Sequence, residues 1–198
     1  LINVLTVVKK AINFMVATAK GQQIPGFTHP KSLQPLVVML REAILQGQVE
    51  TKAHAAETLG MVVKVSDVTA LKAHVVNITG PLIRVLGDRF PANVKLPIIE
   101  TLSKLLDKVA AMLRPFLPQL QSTFLKALQD QTSRPVRLAA GGALARLLKL
   151  HPKPEATMTE LLKLLATSTD QQLIESSLAT ARALIAACPD KMSQATID

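Results

Sequence analysis

Two acid–base pairs recur in register along this chain. Asp88 stands seven residues before Lys95, and Asp130 stands seven before Arg137. Carboxylates and cations at a fixed spacing can bind a charged partner along a surface, or they can tie neighbouring segments of the chain together. Because the spacing repeats, the internal ladder is the preferred reading, each Asp meeting a Lys or Arg of its own repeat or the next. Arg84 stands apart. Asn77, Gly80, Pro81, Arg84 and Asp88 form one polar stripe, while Leu82, Ile83, Val85 and Leu86 supply the apolar side of the same helix. An arginine presented there can hold a carboxylate through both arms of its planar fork. The plainer alternative is an exposed i,i+4 pair with Asp88, contributing about 0.5 kcal/mol or less.

Other chemistry has little to start from. His29, His54, His74 and His151 are scattered, with no second histidine at metal-ligand spacing, and a zinc site needs three or four convergent ligands. There is no Gly-x-Ser-x-Gly, no His-Glu-x-x-His and no phosphate-cradling loop. Gly141-Gly142 lies inside an apolar stripe, where close helix packing is the expected use. The single cysteine, Cys188, excludes an internal disulfide. The expectation is no catalytic residue, no metal, no cofactor and no small-molecule ligand.

The net charge of +9 is unevenly distributed. Between Lys72 and Lys153 stand 13 Lys/Arg and 4 Asp/Glu, and the remaining residues hold 10 of each sign. A basic region speeds encounter with acidic partners of any class. Contact with ribosomal RNA or tRNA is the alternative function. Single-strand binders add aromatic platforms for base stacking, whereas this chain has no Trp, no Tyr and five Phe, of which Phe116 and Phe124 read as core.

These residues need helices to position them. Glu57-Thr58-Leu59 recurs as Glu100-Thr101-Leu102, and Gly142-Ala143-Leu144 follows at nearly the same offset. A period near 40 with a 3.6-residue apolar rhythm is the mark of HEAT-type repeats, roughly 40–47 residues each. The fold class expected is all-α, an α-solenoid of HEAT-type helix pairs forming one domain over 1–198. A leading helix spans 3–19, with Val4, Val8, Ala11, Ile12 and Met15 on one face. Gly21 to Pro30 is the longest loop. Repeats follow at about 31–65, 68–107, 110–150 and 156–187. Within them the pairs are 31–46 with 50–65, 68–87 with 91–107, 110–129 with 134–150, and 156–167 with 170–187. Pro91 and Pro135 suit first helical turns. Thr157-x-x-Glu160 has the pattern of a capping box. Pro81, Pro97, Pro115 and Pro118 fall inside helical patterns and are expected to kink them. No stretch of about 18 uncharged apolar residues exists, so no membrane span and no membrane partner are expected. The start at Leu1 suggests a fragment of a longer protein.

Two runs are distinctive: Ile78-Thr79-Gly80-Pro81-Leu82-Ile83-Arg84-Val85-Leu86-Gly87-Asp88-Arg89-Phe90, and Arg114-Pro115-Phe116-Leu117-Pro118-Gln119-Leu120-Gln121 with Lys126-Ala127-Leu128-Gln129-Asp130 after it. Asn93-Val94-Lys95, Glu100-Thr101-Leu102-Ser103, Pro25-Gly26-Phe27 and Leu40-Arg41-Glu42 extend the pattern over most of the chain. It resembles the C-terminal part of the very large ribosome-associated HEAT proteins that activate the general-control kinase, which phosphorylates the alpha subunit of initiation factor 2. The resemblance implies a non-catalytic scaffold in the cytoplasm that acts on ribosomes, through the full-length protein, during amino-acid starvation. It implies that about 32–180 binds the kinase's RWD domain, with other RWD-containing proteins as further partners. In that family the arginine of Gly-Pro-Leu-Ile-Arg belongs to the contact, which here is Arg84; Arg89 and Arg114, in the same basic stretch between Lys72 and Lys153, are weaker partner-binding candidates. Ser168 to Thr180 departs from the pattern, being richer in Ser, Thr and Gln.

Overall fold

A computed structural model describes residues 2–19, 22–150 and 155–187. Cys188, His151, Lys153 and Gly21, each invoked in the sequence reading, lie outside the described residues. The described residues are helical, without strands. In chain order the elements are α1 (Ile2–Ala19), α2 (Pro30–Gln46), α3 (Val49–Val65), α4 (Val68–Lys72), α5 (Val75–Gly87), α6 (Ala92–Val109), a 3-10 helix (Ala110–Phe116), α7 (Leu117–Leu128), α8 (Arg134–Leu150), α9 (Glu155–Thr167) and α10 (Gln171–Ala187). The all-α, paired-helix architecture agrees with the sequence. The chain divides into two compact units, one ending at Leu113 and the other beginning at Arg114.

In the first unit α2 packs on α3 and α5 on α6, α2 lies beside α5, and α3 beside both α1 and α6. First helices thus neighbour first helices and second helices neighbour second helices, as in a solenoid. Leu40, Ile44, Leu59, Val62, Ile78, Leu82, Ile98, Leu102 and Leu105 fill the core. Small residues bring the second helices together. A Cβ on Gly60 of α3 would meet Thr101 Oγ1 of α6 at 2.5 Å. That hydroxyl donates across to the Ala56 carbonyl at 2.9 Å. The loop before α2 is anchored: Ile24 and Phe27 are buried, and the Phe27 carbonyl accepts from the Asp67 amide at 2.9 Å. Gly26 turns this loop with a φ of 88°, where a side chain is strained.

In the second unit α8 packs against α7 and α10, and α9 against α10. Phe124, Leu128, Val136, Leu144, Leu147, Leu161 and Leu184 form the core, while Phe116 is only half-buried. A Cβ on Gly141 would meet Thr180 Oγ1 at 2.1 Å, so Gly141 serves close helix approach, as its stripe suggested.

Several boundaries differ from the sequence reading. The expected helix over 68–87 breaks at Ala73–His74. There the His74 amide bonds the Leu71 carbonyl at 2.8 Å, a tightened i→i−3 turn. The His74 ring is 5% exposed and its Nε2 lies 2.9 Å from the Pro30 carbonyl. The bend follows this tertiary anchor, with Pro81 inside the unbroken α5. The stretch from 110 to 129 divides into a 3-10 helix and α7. Pro115 and Pro118 remove two amide donors within four residues, which an α-helix cannot absorb. Thr157 lies within the first turn of α9, not before it, and its buried hydroxyl has no hydrogen-bond partner, so the capping box is not formed.

α1 also needs correction. Leu5 and Ile12 are its buried residues, Val8 and Met15 are half-buried, and Val4 and Ala11 are exposed. It is long and apolar enough, by length and composition alone, to cross a membrane, with a mean hydropathy of 1.3. Two lysines interrupt it, and Lys9 donates to Glu57 of α3. Its opposite side carries exposed Val4, Val7 and Phe14, the last 70% exposed.

Candidate protein-docking surface

Arg84 occupies the last turn of α5. Ile78, Leu82, Val85 and Leu86 turn into the core, which leaves Asn77, Arg84 and Asp88 exposed and Gly80, Pro81 and Ile83 half-buried. Asp88 is the C-cap, with φ −81° and ψ 170°, so the chain leaves the helical path there. No ion pair or hydrogen bond joins its carboxylate to Arg84 among the described residues. Arg89 follows, exposed, in the turn to α6. Arg114, the first residue of the second unit, is exposed within the 3-10 helix.

Beneath the Arg84 turn lies Lys52 of α3, only 6% exposed. Its ammonium donates to the Ile44 and Leu45 carbonyls, both at 2.7 Å. These are end carbonyls of α2, which lack donors from within the helix. The Phe90 ring closes over the same ammonium, 5.2 Å from centroid to nitrogen, within cation–π range. Burial pushes the Lys52 pKa down from its ordinary value, against the pull of the Asp88 carboxylate, and the Arg84 charge pushes it further down. Lys52, Arg84, Asp88 and Phe90 therefore form one electrostatic neighbourhood. Lys108 does similar work at the end of α3, donating to the Val63 and Lys64 carbonyls at 3.0 and 2.7 Å. Burial lowers its pKa also, opposed by Asp67.

The registered residues fall as follows. Arg137 is buried, 2% exposed. Its Nη1 donates to the Asp130 carbonyl at 2.9 Å, its Nε to Ser176 Oγ at 3.1 Å and its Nη2 to Gln172 Oε1 at 3.2 Å. The Asp130 carboxylate accepts from the amides of Thr132 and Ser133 at 2.9 and 3.0 Å, closing the turn into α8. Lys95 is half-buried in the first turn of α6. The 43-residue offset from Glu57 to Glu100 also carries Lys52 onto Lys95. Lys52 is thus a position of this register that the sequence reading missed. Its signal was a lysine set within the stripe Ala55, Ala56 and Leu59.

No group of three or more His, Asp, Glu or Cys able to hold a metal occurs among the described residues.

No family model matches the chain. Individual relatives do. A stalled ribosome sensor GCN1 of Mus musculus is 44% identical over 187 residues, covering 94% of this chain and 7% of that protein. The Homo sapiens protein of the same name is 46% identical over 177 residues, 89% of this chain and 7% of its own length. The eIF-2-alpha kinase activator GCN1 of Saccharomyces cerevisiae is 34% identical over 165 residues, 83% of this chain and 6% of its length. The chain belongs to the GCN1 family. It spans about 7% of the length of these curated GCN1 relatives. The family agrees with the resemblance drawn from the Ile78–Phe90 and Arg114–Gln121 runs.

Proposed function

We propose that this segment is a non-catalytic docking platform of a GCN1-type activator, and that the surface around Arg84 receives the RWD domain of the general-control kinase. One observation carries the reading: the Arg84 guanidinium is exposed and makes no hydrogen bond or ion pair among the described residues, on the last turn of a helix whose other face is packed into the core. A guanidinium with no internal partner gives up no bond of its own when it takes a partner's carboxylate. Arg89 and Arg114 are supporting contacts, and residues of about 32–180 make up the binding region, open to other RWD-containing proteins as well. Asp88, Lys95, Asp130 and Arg137 serve the internal register. The relatives' names, stalled ribosome sensor and eIF-2-alpha kinase activator, support a role in translation regulation. On this reading the full-length protein brings the kinase to ribosomes in the cytoplasm.

The surplus of basic charge between Lys72 and Lys153 supports the second reading, contact with ribosomal RNA or tRNA. Lys108 and Arg137, however, donate to internal acceptors, which reduces the charge free for phosphates. The deciding experiment compares Arg84→Ala with wild type for RWD-domain affinity, tRNA affinity and melting temperature. A loss of roughly 2 kcal/mol or more in RWD binding with an unchanged melt is expected. Full RWD affinity in that variant overturns the site.

A further inference from the structure

A groove of about 380 Å³ runs between α3 and α6. Its character is opposite to that of the chain as a whole. Glu50 and Glu57 of α3 and Glu100 of α6 line it, together with apolar Ala53, Leu96 and Pro97. Glu50 and Glu100 are exposed. Pro97 sits inside α6, and a proline there removes the amide that would bond the carbonyl four residues earlier. That carbonyl belongs to Asn93, which also lines the groove. The groove is thus lined by three glutamates, of which Glu57 already holds Lys9.

The molecule already shows what such a rim holds. Lys9 of α1 donates to Glu57. A lysine or arginine side chain fits the remainder of the groove by the same chemistry. Its methylene stem can lie on Leu96 and Pro97 while its cationic head meets Glu50 and Glu100. The chain carries a net charge of +9, while the groove is lined by glutamates, so charge complementarity favours a basic ligand there.

We propose that the α3–α6 groove docks a lysine- or arginine-bearing segment of a partner protein. This is independent of the Arg84 reading, since it uses other helices and a ligand of opposite charge. The test is fluorescence anisotropy of a labelled lysine–alanine dodecapeptide added to the 198-residue chain at pH 7.5. The double variant Glu50→Gln, Glu100→Gln keeps side-chain size, and its melt by circular dichroism verifies the fold. Single Glu100→Lys is a second variant. Expected are saturable binding to wild type, at least about tenfold weakening in both variants, no binding of a glutamine–alanine peptide, and unchanged affinity in Arg84→Ala. Equal binding to wild type and to the variants, or no binding to folded wild type, overturns the proposal. So does a wild-type dimer that the double variant dissolves, because the occupant is then a second copy of this chain.

Discussion

The Lys52 ammonium donates to the carbonyl of Leu45, seven residues earlier, at 2.7 Å. Arg137 repeats the relationship in the second unit, donating to the carbonyl of Asp130, again seven residues earlier, at 2.9 Å. The register seen as acid–base pairs in the sequence thus includes a base reaching back to the main chain. A carbonyl is present whatever side chain stands there, which explains how Leu45 can occupy the place that Asp88 and Asp130 hold in later repeats.

Lys52→Met keeps the stem and removes the donor. It leaves the ends of α2 without their partner while relieving the burial of a charge, and we expect a net loss of about 1–2 kcal/mol. Chemical denaturation measures it, and a variant as stable as wild type would refute the clamp. The pH dependence has a definite sign. The folded-state pKa of Lys52 is lowered, so the unfolded chain binds more protons between that value and the ordinary one near 10.5, and wild type gains stability as pH rises through this window. The gap between wild type and Lys52→Met should therefore widen from pH 7 towards 10.5.

Neighbouring glycines should respond in opposite directions. Gly141→Ala places a Cβ against Thr180 and should lose about 1–3 kcal/mol. Gly142→Ala meets only the flexible end of Arg146, at 3.4 Å, and should gain about 0.5–1 kcal/mol from helix propensity. Thermal melts of the two variants decide it, and equal effects would mean that α8 and α10 do not approach as described.

Arg84→Ala should change folding stability by no more than about 0.5 kcal/mol, because the guanidinium has no internal partner to lose. Arg137→Ala should be severe, about 3 kcal/mol or more, because it strips donors from a buried site and leaves a cavity. Comparing the two by denaturant midpoint separates a surface arginine from a structural one.

Residues 1–113, expressed alone, should fold as a helical unit with a cooperative melt, since that unit holds its own core. A flat, non-cooperative melt would show that the first unit depends on the residues after it.

The helices were legible because their apolar residues keep a 3.6-residue rhythm between prolines and polar turns, and most ends fall within two residues of expectation. The break at His74 was not legible, because it is fixed by a bond to Pro30, 44 positions away. The active face of α1 was misjudged for a related reason: with apolar residues on several sides, only its neighbour α3 selects Leu5 and Ile12. Arg84 could be placed on a polar stripe from spacing alone. Lys52 could not be placed beneath it, since a lysine within an apolar stripe reads first as a charge at the surface edge. The groove with Glu50 and Glu100 stayed hidden because its two walls come from different repeats.

The base-to-carbonyl reach also makes the chain sensitive to length. Between α2 and α3 only Gly47 and Gln48 intervene, whereas residues 129–133 separate α7 from α8. The donor nevertheless meets the carbonyl seven positions back in both cases. Helix ends can drift and side chains can change, but one residue added between carbonyl and base shifts the donor away from its acceptor. Such a scaffold can diversify its faces by substitution, while insertions and deletions at these corners carry a cost independent of which amino acid is involved.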